Sequence, residues 1–325
     1  MAGIAPQNAT PVSEEIELPG GKSGFRNWLN RNAWRDIIIG TPYFWLLLFF
    51  VLPFIIIVAM SLAESVIAQP PFKFADAWPY VTFDNFARLF SDSVYLRGYL
   101  TSLYNATVAT GLCLLVGYPM ALGIARAKGA WRNILLLLVI LPFWTSFLLR
   151  IYAWMGLMGS NSWFNKGLTW VINLVLPVSS HFNSIPMMNS NFAVILVVVY
   201  SYLPFMILPL FANLEKLDYT LNEAAMDLGS KPFQVFRDVT LPLSIPGIVA
   251  GALLVFIPAT GELVIPSLVG NAADPMIGRV INDEFSLNRH WPMASTIAVA
   301  LLMLLVVPIM LYNNMQAKSA ERAKQ

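Results

Sequence analysis

The sequence is poor in charge. Asp, Glu, Lys and Arg make up 12% of its 325 residues, about half the share of an ordinary soluble domain. With 57% apolar residues and a mean hydropathy of +0.64, this shortage excludes a globular domain solvated by water. Cysteine is nearly absent, and a single Cys113 excludes an intrachain disulfide and a cysteine-rich metal site. Histidine is scarce too: His181 and His290 stand far apart, and neither has a partner at metal-ligand spacing. No nucleophile–base pair occurs, so the chain is not expected to be an enzyme in its own right. "PGGKSG" near the start resembles part of a phosphate-binding loop, but the Gly required five positions earlier is Ile16. No nucleotide is expected there, and no nucleic-acid partner.

What the sequence has in abundance is long apolar runs. A hydrocarbon core takes about 20 helical residues at roughly 1.5 Å each. Six runs reach that length, near Ile37–Ser61, Thr101–Ala125, Ile134–Leu157, Phe192–Leu214, Ile245–Val269 and Met293–Met315. Strands of a membrane barrel would be shorter and alternate strictly. The prediction is an all-α integral membrane protein with six transmembrane helices. Most of the basic residues fall on one side of these runs, and the short turn "ARAKGAWR", with Arg126, Lys128 and Arg132, is the clearest case. By the positive-inside tendency, both termini are cytoplasmic. The first apolar run is too long for a signal peptide and lacks a small-residue cleavage site, so it is expected to stay as the first span.

The expected organisation is a disordered cytoplasmic tail over 1–23, an interfacial amphipathic helix over 24–36, a six-helix domain over 37–316 and a cytoplasmic tail over 317–325. "GFRNWLNRNAWR" supplies the interfacial helix, with Phe25, Trp28 and Leu29 at helical spacing among Arg and Asn. Segment 158–191 carries "WFNKGLTWVINLVLPV", too short for a span and rich in Trp. It is predicted to be interfacial or re-entrant on the outer face. Asp283 and Glu284, on the last outer loop, have two readings: contacts for a periplasmic protein, or solvated loop charges.

Between the fourth and fifth runs lies a polar insert, "YTLNEAAMDLGSKPFQVFRDVTLPLSIPG". Thr220 and Glu223 fit a capping box opening a helix, and Gly229 is placed to end it in the left-handed conformation. Ser230 is placed to cap a second short helix, with Pro232 in its first turn. Ala224 and Ala225 give the first helix a face that another protein can approach closely.

"EAAMDLGSKPFQVFRDVTLP" resembles the EAA loop of permease subunits of bacterial binding-protein-dependent ABC importers. The pattern is carried by Glu223, Ala224, Ala225, Gly229, Leu241 and Pro242, with Val239 where the family usually has Ile. The resemblance covers roughly residues 25–315. "LPFWTSFLLRIYAWMGLMG", "FIPATGELVIPSLVG" and "MIGRVINDEF" are similar to the polyamine branch, most of all to putrescine permeases. It implies the type I importer permease fold in a bacterial inner membrane, with residues 219–242, Asp227 included, coupling to a cytoplasmic ATPase. The implied partners are an ATPase dimer that holds the ATP and Mg, a second non-identical permease, and a periplasmic polyamine-binding protein. This chain would bind no cofactor. The implied cargo is putrescine or a related polyamine. An importer permease for an amino acid, sugar or metal is the alternative, and an ion-coupled secondary transporter a more distant one.

In the fifth run Glu262 is flanked by Pro258, Gly261 and Pro266. A carboxylate inside a membrane is costly and faces a cavity or a partner. Next to aromatic rings it suits an alkyl diammonium ion, and Trp144, Tyr152 and Trp154 of the third run are candidates. Counted along straight helices, Arg150 and Glu262 both lie about 24–26 Å from the inner edge. Glu262 therefore has three readings: part of the cargo path, an ion pair with Arg150, or a contact with the second permease.

Overall fold

Wherever the chain crosses lipid, each backbone N–H and C=O has to be satisfied from within, and helices are the outcome. The structure, a computed structural model, describes residues 35–74, 81–175 and 183–322, with the backbone alone at 307, 308 and 311–322. The expected tail over 1–23 and most of the interfacial helix over 24–36 lie outside these residues, as does His181. Two units are distinguished, Met1–Ile56 and Ile57–Gln325.

The first unit holds most of helix α1, Arg35–Ser61, whose surface is mainly Ile, Leu, Phe and Val, with Tyr43 and Trp45 among them. A wide π turn, Leu47–Val51, lies just ahead of Pro53. Proline has no N–H to give the turn before it and its ring crowds a carbonyl there, so widening the turn relieves both.

The second unit begins with a small hairpin, β1 (Glu64–Ser65) against β2 (Phe72–Lys73). Helix α2 (Asp84–Ser91) leads to the long α3 (Ser93–Arg126), which Asp92 caps by accepting from the Val94 N–H at 3.0 Å. Then come α4 (Ala130–Ile140), a 3-10 turn (Leu141–Trp144), α5 (Phe147–Met158) and α6 (Trp163–Val175). Helix α7 (Asn191–Leu214) is capped by Ser190. The polar insert forms α8 (Thr220–Asp227) and the start of α9 (Pro232–Thr260). Short helices α10 (Val264–Val269) and α11 (Ile277–Asn282) precede α12 (Trp291–Arg322), which runs through most of the stretch expected as a tail.

Helices α1, α3, α7 and α9 are long and apolar enough to cross a membrane. The bent pair α4–α5 makes a fifth when counted as one span, and the apolar part of α12, Trp291–Val306, is a shorter apolar helix. All six predicted runs are therefore helical, but two are broken. The third was expected as one helix over Ile134–Leu157; instead α4 and α5 meet at 91°. Thr145 and Ser146 are extended there, and the Thr145 hydroxyl donates to the Pro142 carbonyl at 2.7 Å. The fifth stops at Thr260 and restarts at Val264.

Helices α3, α7 and α9 form the centre of the bundle, where small residues bring backbones close. A Cβ on Gly251 of α9 would lie 2.8 Å from the Met206 Sδ and 3.0 Å from the Met206 carbonyl of α7. Tyr118 and Ser244 share a buried hydrogen bond of 2.9 Å between α3 and α9. On the outer side, Leu89, Tyr95, Tyr99, Ile277 and Ile297 join α2, α11 and α12 to the start of α3.

Gly251→Val is expected to destabilise the protein by about 1–3 kcal/mol through overpacking. Gly111→Ala, in α3 with nothing within 4 Å of the added carbon, is expected to be neutral or to stabilise by about 0.5–1 kcal/mol. Thermal unfolding of the detergent-solubilised protein compares the two.

Candidate functional site

The polar insert is built by local hydrogen bonds, though not all by those expected. Thr220 does not cap α8. It is already the first helical residue, and the Asp218 carboxylate two residues earlier accepts its N–H at 3.0 Å. That bond holds the Asp218 carboxyl below its ordinary pKa. Gly229 does end α8, at φ 88°, with Gly229 N–H on the Met226 carbonyl and Ser230 N–H on the Ala225 carbonyl. These paired reverse bonds close the last turn, and the left-handed residue they need is Gly without strain. The cap of the next helix falls on Lys231 instead of Ser230, and the Lys231 N–H donates to Gln234 Oε1 at 2.8 Å.

Val235 and Thr240 are buried and Phe236 stacks edge-on against Tyr118 of α3 at 5.7 Å, so the insert is fixed to the bundle. A π turn, Phe236–Thr240, precedes Pro242, as the earlier one precedes Pro53. Leu241 and Pro242 carry the chain straight on into α9. Glu223, Ala224, Asp227 and Gly229 face solvent, and Ala225 is half-buried. Beside them Leu228 is 89% and Phe233 72% exposed. An apolar tip with a polar rim is thus presented by a rigid base. Between the insert and the inner end of α3 lies a cavity of about 330 Å³, lined by Arg126, Tyr219, Glu223 and Phe236 among others.

Glu262 occupies the break between α9 and α10 and is buried. Its Oε1 accepts from the N–H groups of Val264 at 3.0 Å and Ile265 at 3.4 Å, groups that α10 itself leaves unpaired. Its Oε2 accepts a short hydrogen bond from the Tyr202 hydroxyl of α7. From the other side α11 presses its backbone onto the break. A Cβ on Gly278 would lie 2.5 Å from the Gly261 carbonyl oxygen and 2.6 Å from that of Glu262. The adjoining Ile277 N–H is held by Ser102 Oγ at 2.7 Å.

The reading that pairs Arg150 with Glu262 is corrected: among the described residues the two form no ion pair. The depth argument for it assumed a straight third span, and the 91° bend turns α5 away from that line. The Arg150 guanidinium instead lies over two rings, 5.8 Å from Phe143 and 5.6 Å from Phe147, and its Nε and Nη1 are buried without a hydrogen-bond partner. Phe143 packs on Phe205 at 5.1 Å and Phe205 on Tyr202 at 5.9 Å. A series of rings therefore runs from Arg150 to the residue that bonds Glu262.

The aromatics singled out from the sequence fare differently. Trp154 packs against Tyr200 at 5.4 Å inside the bundle. Trp144 and Tyr152 are 74% and 54% exposed on the flank. The three rings that join Arg150 to Glu262, and Phe147 on the other face of the guanidinium, were missed. Their signal was present: Phe143 and Phe147 stand seven and three residues before Arg150, and Tyr202 and Phe205 are spaced three apart. Glu284 is also not a solvated loop charge. It is buried and accepts from the Tyr95 hydroxyl at 3.1 Å, with His290 Nδ1 3.0 Å from its other oxygen.

Residues 113–320 match the family described as "Binding-protein-dependent transport system inner membrane component". Over 281 residues the chain is 37% identical to the spermidine/putrescine transport system permease protein PotB of Haemophilus influenzae, covering 86% of this chain and 93% of that one. PotB of Escherichia coli strain K12 is 36% identical over 272 residues, 82% of this chain and 92% of that one. Among solved structures, a chain of a bacterial ABC transporter that imports the acidic polysaccharide alginate superposes with a TM-score of 0.65 over 91% of this chain and 99% of its own. The two are 18% identical, a likeness of fold alone.

Glu262→Ala leaves two N–H groups and the Tyr202 hydroxyl without an acceptor and is expected to destabilise by about 1–3 kcal/mol. Glu262→Gln keeps a carbonyl acceptor and should unfold within a few degrees of the unaltered protein. Thermal unfolding in detergent reads the difference.

Proposed function

Because the chain belongs to the family of binding-protein-dependent transport system inner membrane components, we propose that it is one of two non-identical permeases of an ATP-driven importer for putrescine or a related polyamine. The observation that carries the cargo is the identity of 36–37% with two spermidine/putrescine permeases over more than four-fifths of the chain. The geometry supports it. A buried carboxylate at a helix break, approached through aromatic faces, provides charge pairing and cation–π attraction for an alkylammonium group.

In this reading the protein sits in a bacterial inner membrane and works by alternating access. A periplasmic binding protein delivers the cation. A dimer of cytoplasmic ATPase subunits binds ATP and Mg and does the hydrolysis, so that this chain needs no cofactor of its own. The insert over 219–242 docks on that dimer through Leu228, Phe233 and the small face of Ala224 and Ala225, with Glu223 and Asp227 at the rim. Gly229 sets the turn, and Leu241 and Pro242 pass the movement into α9. Glu262 lines the path, and Tyr202, Phe205 and Phe143 form its aromatic approach, with Trp144, Tyr152 and Trp154 set apart from it.

The test is uptake of labelled putrescine by cells without polyamine transport of their own, expressing this chain with its partner subunits. Uptake should require an intact ATPase and be competed by spermidine but not by amino acids or sugars. Glu262→Gln is expected to lower uptake at limiting putrescine roughly tenfold or more, the worth of one hydrogen bond to a charge. Leu228→Asp is expected to weaken co-purification of the ATPase by about tenfold or more at an unchanged permease level. Uptake that persists without the ATPase would overturn the coupling role, and an assembled complex that takes up no putrescine would overturn the cargo.

A further inference from the structure

We infer that Arg150 is a tethered competitor of the cargo: its guanidinium occupies the aromatic end of the route by which a cationic cargo reaches Glu262, and it yields that place when cargo enters. The inference rests on the proposed role of Glu262 in the path.

Three observations carry it. First, the guanidinium is held by ring faces, Phe143 at 5.8 Å and Phe147 at 5.6 Å, the same attraction that serves an alkylammonium ion. Second, its Nε and Nη1 are enclosed and have no acceptor. Buried donors on a charged group left without acceptors are unfavourable, and they mark a position that is easily given up. Being enclosed, these two atoms are out of reach of a carboxylate on a neighbouring chain in this conformation, so relief has to come from movement within this one. Third, Phe143 is the first ring of the series that ends at Tyr202 and Glu262. Phe205 in that series is exposed at the surface of this chain, as is Gly261 next to Glu262, so a cation that approaches along this face meets the same rings.

The consequence is an affinity set by competition. When a tethered group holds a site most of the time, the apparent affinity for a free ligand falls by the fraction of time the site is open. A transport path gains from this, since a cation bound tightly at Glu262 would not leave. The returning guanidinium displaces it and takes the rings back. The ligand class is a primary alkylammonium or alkyl diammonium ion, and a free guanidinium ion should compete for the same faces.

The experiment measures equilibrium binding of labelled putrescine to the detergent-solubilised complex of this chain, the second permease and the ATPase, without the binding protein. Arg150→Met is expected to bind putrescine about tenfold more tightly than the unaltered complex, as for a site freed from a competitor that holds it about nine-tenths of the time. In that variant guanidinium chloride should compete with putrescine. Arg150→Lys, which keeps a tethered cation, should stay near the unaltered affinity. Phe147→Leu removes one face under Arg150 without touching the Phe143–Phe205–Tyr202 series and should tighten binding in the same direction, by less. It carries the test if Arg150→Met does not assemble. Unchanged or weaker binding in both Arg150→Met and Phe147→Leu overturns the inference. If Glu262→Gln weakens binding while those two variants change nothing, the path stands and the role of Arg150 falls. If Glu262→Gln leaves binding unchanged, or no form of the complex binds putrescine, the path reading falls and the inference with it.

Discussion

A backbone polar group without a partner in hydrocarbon costs several kcal/mol, and the rest of this structure is arranged around that constraint. Where a helix continues, the chain meets it by itself. Where one stops inside the apolar region, something else has to take over. At the turn between α4 and α5 it is the Thr145 hydroxyl on the Pro142 carbonyl. At the gap between α9 and α10 it is the Glu262 carboxylate on two N–H groups. These repairs bring polar side chains to places where lipid alone would exclude them. The two breaks are also linked to each other, through Phe143, Phe205 and Tyr202. The candidate path is in this sense a by-product of breaking helices in an apolar medium.

The polar insert and the buried carboxylate share one element. Helix α9 starts at Pro232, in the insert, and ends at Thr260, two residues before Glu262. At about 1.5 Å per residue its 29 residues span about 43 Å. Along the way Gly251 seats it on Met206, and Tyr118 bonds it through Ser244. Coupling between distant sites needs an element whose arrangement both can bias, and one helix reaching from the insert to the break meets the spatial part of that need.

The six apolar segments were legible because hydropathy over 20 residues is a strong signal. The breaks were not, and the prolines show why. Pro119, Pro204, Pro209, Pro246 and Pro258 all lie inside continuous helices. The chain bends sharply at Pro142–Ser146 and stops at Gly261, yet nothing local separates these from the tolerated cases. Neighbours that satisfy the freed groups decide the outcome, and they come from distant parts of the sequence. The error about Arg150 followed directly, since a depth counted along a straight helix fails once the helix turns. Gly229 was legible because a left-handed terminus has one strongly preferred residue. The Thr220 cap was not, because Asp218 offers an acceptor two residues earlier and wins the N–H. Neither reading of Glu284 foresaw its burial, because its partner Tyr95 lies 189 residues away on α3.

The contact at Gly278 has a mechanical meaning. Side-chain contacts between helices have slack, because rotamers shift to absorb small displacements. Here carbonyl oxygens of the Gly261–Glu262 break rest directly against the α11 backbone, with no room for even a methyl group, and Ser102 pins the next N–H. Such a joint transmits displacement without play. Whatever pushes on segment 277–282 bears directly on the peptide that carries the buried carboxylate.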